Sequence, residues 1–282
     1  MSRSGIRLPS WATASAVHAL IAINVALFAV TVVLGENLGG RSLDLVLALH
    51  GPGLLDGFGL GVLRLVSYQF VHSFTDPFHV LFNMLVLWYF GRGVEGEIGA
   101  RGLVHLYLAG GLLGGIVQLA IAAGGGDFDA MRLVGASGAC YAIMVYCAMI
   151  APRQSILFFG VLPVRIGVLV GILVALGAYY SLMELHGVSA SKTAHAAHLG
   201  GAAWGFCAFR LLRGYYVALG TRRGAWFPGL ARWRERRARQ SQEDRRFRLD
   251  EILEKVQREG INALSPDERR FLERASKDLR GR

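Results

Sequence analysis

Apolar residues in this chain gather into long runs, not into the short alternations that build the half-buried helices and strands of a soluble core. The runs are Ala16 to Leu34, Phe78 to Phe90, Leu103 to Ala123, Leu133 to Ala151, Val161 to Leu185 and Ala194 to Leu212. A helix needs about 20 residues to cross a hydrocarbon core of about 30 Å; five of the runs approach that length, and the second is visibly short. Lipid offers no partners for backbone N–H and C=O groups, so each run is expected to be a helix. The pattern predicts an all-α polytopic membrane protein with six transmembrane helices. The basic stretch Ser2 to Arg7 precedes the first run, but no small-residue cleavage site follows it, so that run reads as a retained span and not as a removed signal peptide.

After the sixth run the pattern changes. Beyond Asp244, Phe247, Ile252, Leu253 and Val256 recur at helical spacing until Gly260. Ser265, Pro266 and Glu268 then form a capping box with proline at the first helical position, ahead of Phe271 and Leu272. The expected product is a small cytosolic helical hairpin that packs or stabilises and carries no chemistry. The organisation predicted is a cytosolic N-terminus over 1–15, a six-helix membrane domain over 16–212, a basic juxtamembrane linker over 213–243 and the hairpin over 244–282.

Composition agrees with the pattern: of 282 residues 53% are hydrophobic and 18% charged, too few charges for the surface of a soluble protein of this length. The formal charge of +10 sharpens the picture because of where it lies. From Arg210 onward there are 20 basic and 11 acidic residues, so +9 belongs to the C-terminal appendage. Arg222, Arg223, Arg232, Arg234, Arg236, Arg237 and Arg239, interleaved with Trp226, Phe227 and Trp233, suit a surface of anionic lipid headgroups and not a nucleic acid.

The same tail, with Arg3, Arg7, Arg92, Arg101, Arg153 and Arg165 between alternate runs, places both termini in the cytoplasm by the positive-inside rule. Arg41, Arg64, Arg132 and Lys192 on the other side are diluted by Asp44, Asp56, Asp76, Asp127 and Asp129. The absence of an organelle-targeting presequence favours a bacterial plasma membrane. Cys140, Cys147 and Cys207 lie within runs and form neither a disulfide framework nor a metal-ligand spacing. No metal and no cofactor is expected.

Candidate chemistry begins with Gly135-Ala136-Ser137-Gly138-Ala139 near the outer end of span 4. Alone, a serine between glycines reads first as close helix packing. A second group changes the balance. Span 6 carries Ala197-His198-Leu199-Gly200-Gly201 with Gly205 beyond it, an ionisable imidazole on a glycine-lined face. Ionisable side chains within a membrane are costly and mark function by default, and the glycines permit the approach that would bring His198 to Ser137. In span 2, His79 and Asn83 share one helix face and can both donate hydrogen bonds, either as oxyanion donors or as an interhelical polar clamp.

Taken together, H-x-x-x-N (His79, Asn83), G-x-S-G-x-x-Y (Gly135, Ser137, Gly138, Tyr141) and A-H-x-x-G-x-x-x-G (Ala197, His198, Gly201, Gly205) resemble the rhomboid family of intramembrane serine proteases, over roughly Ala16 to Leu212. The resemblance implies a six-helix rhomboid-like bundle. It implies Ser137 as nucleophile, His198 as base without an acid, Tyr141 stacked on His198, and an oxyanion hole from His79, Asn83 and the Ser137 N–H. Glu95 would hold the inner end of span 2, and the segment from Gly35 to Asp76 would be the membrane-associated first loop. It further implies transmembrane protein substrates entering sideways from the bilayer past a movable span 5, with small residues at the cut and Gly or Pro nearby.

Two departures stand out: Leu63 precedes Arg64 where the family commonly has Trp-Arg, and the segment from His72 to His79 is slightly longer than usual. His195, one turn before His198, is the alternative base, which the glycine spacing disfavours. A catalytically inactive relative that binds membrane clients is the alternative function, although such proteins usually lack the serine or the histidine. A small transporter would show inverted repeats, which are not seen. A metalloprotease would show H-E-x-x-H, which is absent.

Overall fold

The computed structural model describes residues 15–34, 46–55, 60–73, 75–126, 128–158, 161–186, 194–221 and 248–272. The chain divides into two compact units, Met1–Arg222 and Arg223–Arg282. The first is mostly helical: α1 (Ala16–Leu34), α2 (Pro77–Gly125), α3 (Ser137–Ile150), α4 (Ile166–Leu185) and α5 (His195–Thr221). Of these, α1, α2 and α4 are long and apolar enough to cross a membrane.

At 49 residues α2 would run about 74 Å if straight, but it breaks at Gly99, whose φ of 71° and ψ of 172° lie outside the helical region. Glycine adopts that conformation without a Cβ clash, so the sequence can turn sharply between two limbs, 77–98 and 100–125. Asp76 starts the first limb by accepting the Phe78 N–H at 3.1 Å, with Pro77 at the first turn. Glu95, near the end of this limb, accepts from the Ser15 hydroxyl at 2.5 Å and from the Ala16 and Val17 N–H groups at 2.6 and 3.3 Å. It therefore caps α1, satisfying N–H groups that have no partner within their own helix.

Four helix boundaries differ from the hydrophobic runs. The run that looks short, Phe78 to Phe90, is only the most apolar part of a limb reaching residue 98, because Arg92, Glu95 and Glu97 are helical as well. The fourth run begins at Leu133, yet α3 begins at Ser137. Arg132 and Leu133 are drawn into a strand, β2, pairing antiparallel with His50 and Leu49 of β1. The fifth run begins at Val161, but β3 (Ser155–Phe158) and β4 (Leu162–Arg165) pair as a hairpin and α4 starts only at Ile166. Lastly, α5 continues nine residues past Leu212 to Thr221.

Within the first unit α3 is the central element, with Ala139, Cys140, Ala142, Ile143, Tyr146 and Cys147 buried in one core with residues of α1, α2 and α5. Small residues set the spacing: a Cβ on Gly110 of α2 would lie 2.4 Å from the Ala142 Cβ, and one on Gly205 of α5 would lie 2.3 Å from the Ala142 carbonyl oxygen. Facing outward are Val33, Phe78, Leu81, Leu85, Ile172 and Leu176, all exposed. That inversion suits a helix surface whose solvent is lipid.

In the second unit, described over 248–272, α6 (248–259) and α7 (266–272) flank Gly260. Ser265 Oγ accepts the Glu268 N–H at 3.3 Å while the Glu268 carboxylate accepts the Ser265 N–H at 2.6 Å and both 3.1 Å bonds from Lys255 Nζ. The Ser265 N–H first, and Lys255 after it, hold that carboxyl below the usual range. Ile252 and Leu264 are buried. The basic run from Arg222 to Arg239, with Trp226, Phe227 and Trp233, lies outside the described residues, as does Lys192.

Candidate active site

Ser137 is the first residue of α3, so its N–H is among those a helix N-terminus leaves without an intrahelical acceptor. The turn before it runs through Gly135, with φ 116°. A Cβ there would be strained in φ and would also meet the His79 imidazole 2.6 Å from Cε1 and Nε2. Gly135 is thus required twice over. The first loop holds this turn on successive residues: the Gly135 N–H donates to the Tyr68 carbonyl at 3.0 Å, and the Ala136 N–H donates to His72 Nε2 at 3.4 Å. Tyr68 is itself fixed, its hydroxyl donating to the Gly111 carbonyl at 2.6 Å. With these two N–H groups engaged, the Ser137 N–H is the next along the chain and, like those of Gly138 and Ala139, belongs to the first turn of α3.

Opposite stands α5. Its Gly201 approaches α3 so closely that a Cβ would fall 1.9 Å from the Gly138 carbonyl oxygen. This contact brings His198 Nε2 to 2.8 Å from Ser137 Oγ, within the reach a base needs. Tyr141, one turn along α3 from Ser137, stacks on the His198 ring at 4.4 Å with 7° between planes. His198 is buried, and among the described residues nothing hydrogen-bonds its Nδ1. Orientation of the imidazole therefore comes from stacking and helix packing in place of a carboxylate.

His195 does not share this position. Its ring stacks on Tyr180 of α4 at 4.6 Å and meets His198 edge-on at 5.8 Å. His79 lies over Gly135, and Asn83 is buried on the face of α2 that meets α3, where its carbonyl accepts the Cys140 thiol at 3.5 Å. The Asn83 side-chain amide already donates to the His79 carbonyl at 2.9 Å. One of its two N–H bonds is thus spent on its own helix, and one remains for an oxyanion. Glu95 sits at the opposite end of the same limb, capping α1 as described.

Sequence reading missed three residues that shape the site. His72 is fully buried and edge-on to His79 at 5.1 Å, and among the described residues its Nδ1 has no partner. Burial first, and the facing His79 second, push its pKa from 6.5 down to about 3, which keeps the ring neutral and able to accept. The third ionisable residue before Asn83 was a signal visible in the sequence. Gln118 and Glu184 were invisible, because neither belongs to a motif: Gln118 accepts the Ala197 N–H at 3.2 Å and donates to Glu184 at 2.7 Å.

The class this defines is a helical membrane protein in which a serine hydroxyl and an imidazole from two closely packed helices share a hydrogen bond. A family model described as Rhomboid domain matches residues 60–215, and the chain belongs to the rhomboid family. A second model, a family of unknown function (DUF6576), matches residues 232–278. Among curated relatives, the "RHOMBOID-like protein 12, mitochondrial" of Arabidopsis thaliana is 33% identical over 172 residues, 56% of this chain and 49% of that protein. The "Rhomboid protease GlpG" of Klebsiella pneumoniae is 37% identical over 83 residues, 29% of this chain and 27% of that one. The protein of the same name from Salmonella choleraesuis is 34% identical over 85 residues, 30% and 28% respectively. The chain thus spans about half the length of the first relative and about a quarter of the others.

Proposed function

We propose that this protein is an intramembrane serine endopeptidase that hydrolyses peptide bonds in or near transmembrane segments of other proteins. The observation that carries the reading is the 2.8 Å bond from Ser137 Oγ to His198 Nε2, inside a chain of a family whose relatives include proteins named as proteases. It also favours a working enzyme over an inactive client-binding relative, since both groups are present and in contact.

In the mechanism, Ser137 Oγ attacks the scissile carbonyl while His198 Nε2 takes its proton, then returns that proton to the leaving amine. The carbonyl oxygen, now negative, is stabilised by the Ser137 N–H, the remaining Asn83 amide proton and the His79 ring. Gly135, Gly138, Gly201 and Gly205 keep α3 and α5 close, Tyr141 orients the base, and Glu95 fixes α2 to α1. Water, activated by the same histidine, releases the acyl group.

Six membrane spans support this chemistry: α1, the two limbs of α2, α3, α4 and α5. At 14 residues α3 covers about 21 Å, less than a hydrocarbon core of about 30 Å, so Ser137, at one of its ends, would be recessed from one surface, and hydrolysis there requires water to reach it. The distribution of basic residues supports cytoplasmic termini, and the membrane is read as a bacterial plasma membrane. Relatives from Klebsiella and Salmonella suit that compartment, while the name of the Arabidopsis relative points to mitochondria. The region from 222 to 243, beyond the end of α5, is read as a linker lying on anionic lipid, and 244–282 as a cytosolic helical hairpin, for which the Lys255–Glu268 pair between α6 and α7 is the supporting contact. Labelling with a fluorophosphonate in detergent tests the proposal: Ser137 should be modified in the parent protein and not in His198→Ala, and an unmodified, folded parent would refute it.

A further inference from the structure

The helix α4 is held more loosely than its neighbours. Of its twenty residues only Ile166, Val170, Gly177 and Ser181 are buried, and the first two lie in its first two turns. That end is also fastened by backbone bonds, from the Ile166 N–H to Gln154 and from the Gly167 N–H to Pro152. At the far end the fastening is made by side chains. Glu184, one residue before the helix stops, accepts from Gln118 Nε2 at 2.7 Å, and Tyr180, one turn earlier, stacks on His195.

Gln118 is buried on the second limb of α2 and uses both ends of its amide. Its oxygen takes the N–H of Ala197, in the first turn of α5 and directly before His198, while its nitrogen reaches across to α4. One side chain thus ties the free end of α4 to the N-terminus of the helix that carries the base. The two bonds are separable. Loss of Glu184 removes one of the two side-chain fastenings of this end, leaving the Tyr180–His195 stack, and keeps the Ala197 cap beside His198.

We infer that the Gln118–Glu184 hydrogen bond is a latch that holds the outer end of α4 against α5, with Glu184 a positioning residue that sets how often a transmembrane substrate gains lateral access to Ser137. The consequence for catalysis rests on the protease reading above; the latch itself does not. A hydrogen bond to a carboxylate biases such an equilibrium by roughly tenfold or more. Where only the unlatched form accepts substrate, apparent affinity scales with its population.

The test uses the full-length protein in detergent and three forms: parent, Glu184→Ala and Glu184→Gln, the last keeping an acceptor oxygen for Gln118. Amide hydrogen exchange over 179–186 should speed up about tenfold in Glu184→Ala, stay near the parent rate in Glu184→Gln, and leave 196–200 unchanged in both. With a transmembrane substrate, Glu184→Ala should lower KM about tenfold at constant kcat, while labelling of Ser137 by a small fluorophosphonate, which needs no lateral access, keeps its rate. Unchanged exchange over 179–186 in Glu184→Ala would overturn the latch, as would equal acceleration in Glu184→Gln. Failure of Ser137 labelling in the parent would instead overturn the protease reading, with the exchange result still deciding the latch.

Discussion

Gly201→Ala is the sharpest test of the idea that helix spacing, and not the dyad residues alone, creates the site. The added Cβ would lie 1.9 Å from the Gly138 carbonyl oxygen, where ordinary contact begins at 3.4 Å. The obstacle is backbone and cannot swing aside, so α3 and α5 must part by about 1.5 Å, an overpacking that costs about 1–3 kcal/mol of stability. Ser137 is next to Gly138 and His198 lies three residues before Gly201, so most of that displacement reaches their 2.8 Å bond and stretches it beyond hydrogen-bond range. A misplacement of about 1 Å in a catalytic pair costs on the order of 100-fold in rate. The assay is cleavage of a transmembrane substrate together with fluorophosphonate labelling and thermal unfolding. Gly171→Ala serves as control, because a Cβ there meets nothing within 4 Å. The expected result is a folded, somewhat less stable Gly201→Ala with at least 100-fold slower labelling and an unaffected control. A folded Gly201→Ala labelled at the parent rate would refute the argument from spacing.

Three further outcomes are expected. Ser137→Ala and His198→Ala should abolish cleavage with near-parental unfolding temperatures, whereas Asn83→Ala should retain measurable turnover, reduced by less than the roughly 100-fold typical of a lost oxyanion donor because other donors remain; all three are read by substrate cleavage beside thermal unfolding. His72 is neutral when folded and has a pKa near 6.5 when unfolded, so its contribution is fully present above pH 6.5 and is lost as pH falls towards about 3. His72→Asn should therefore flatten the pH dependence of stability below pH 6.5 by up to about 1.4 kcal/mol per pH unit, measured by chemical or thermal unfolding across that range. Truncation after Thr221 should leave proteolysis in detergent largely intact, since every residue of the candidate site precedes it; a folded, inactive truncation would assign the C-terminal unit to the mechanism.

Much of the fold was legible because lipid imposes one rule on every apolar run, and Ala16 to Leu34 coincides with α1 for that reason. What was misread depends on contacts distant in sequence. Leu133 looks like the start of a span and becomes a strand because Leu49, far away in the first loop, pairs with it. The apolar run stops at Phe90 because the charged Arg92, Glu95 and Glu97 follow it, although α2 continues and Ser15 with the first turn of α1 supplies Glu95 with three donors. At the site, Ser137, His198, Tyr141, His79 and Asn83 sit in short motifs whose spacing is local and therefore readable. Tyr68 and Gln118 shape the site through hydrogen bonds to the backbone at Gly135, Gly111 and Ala197, and backbone partners leave no signature in the residue pattern.

That His198 Nδ1 has no partner among the described residues would carry a consequence for selectivity. In the mechanism proposed, the histidine would hold a proton with no carboxylate behind it, so charge separation at the dyad would be poorly compensated and the chemical step would be slowed for any peptide. A slow step gives a bound helix time to leave many times before it is committed. Under the proposed function, discrimination among the crowded helices of a bilayer would then rest on dwell time: segments that settle in the site would be cut, and passers-by would escape. An acid at Nδ1 would make a faster enzyme and a less discriminating one.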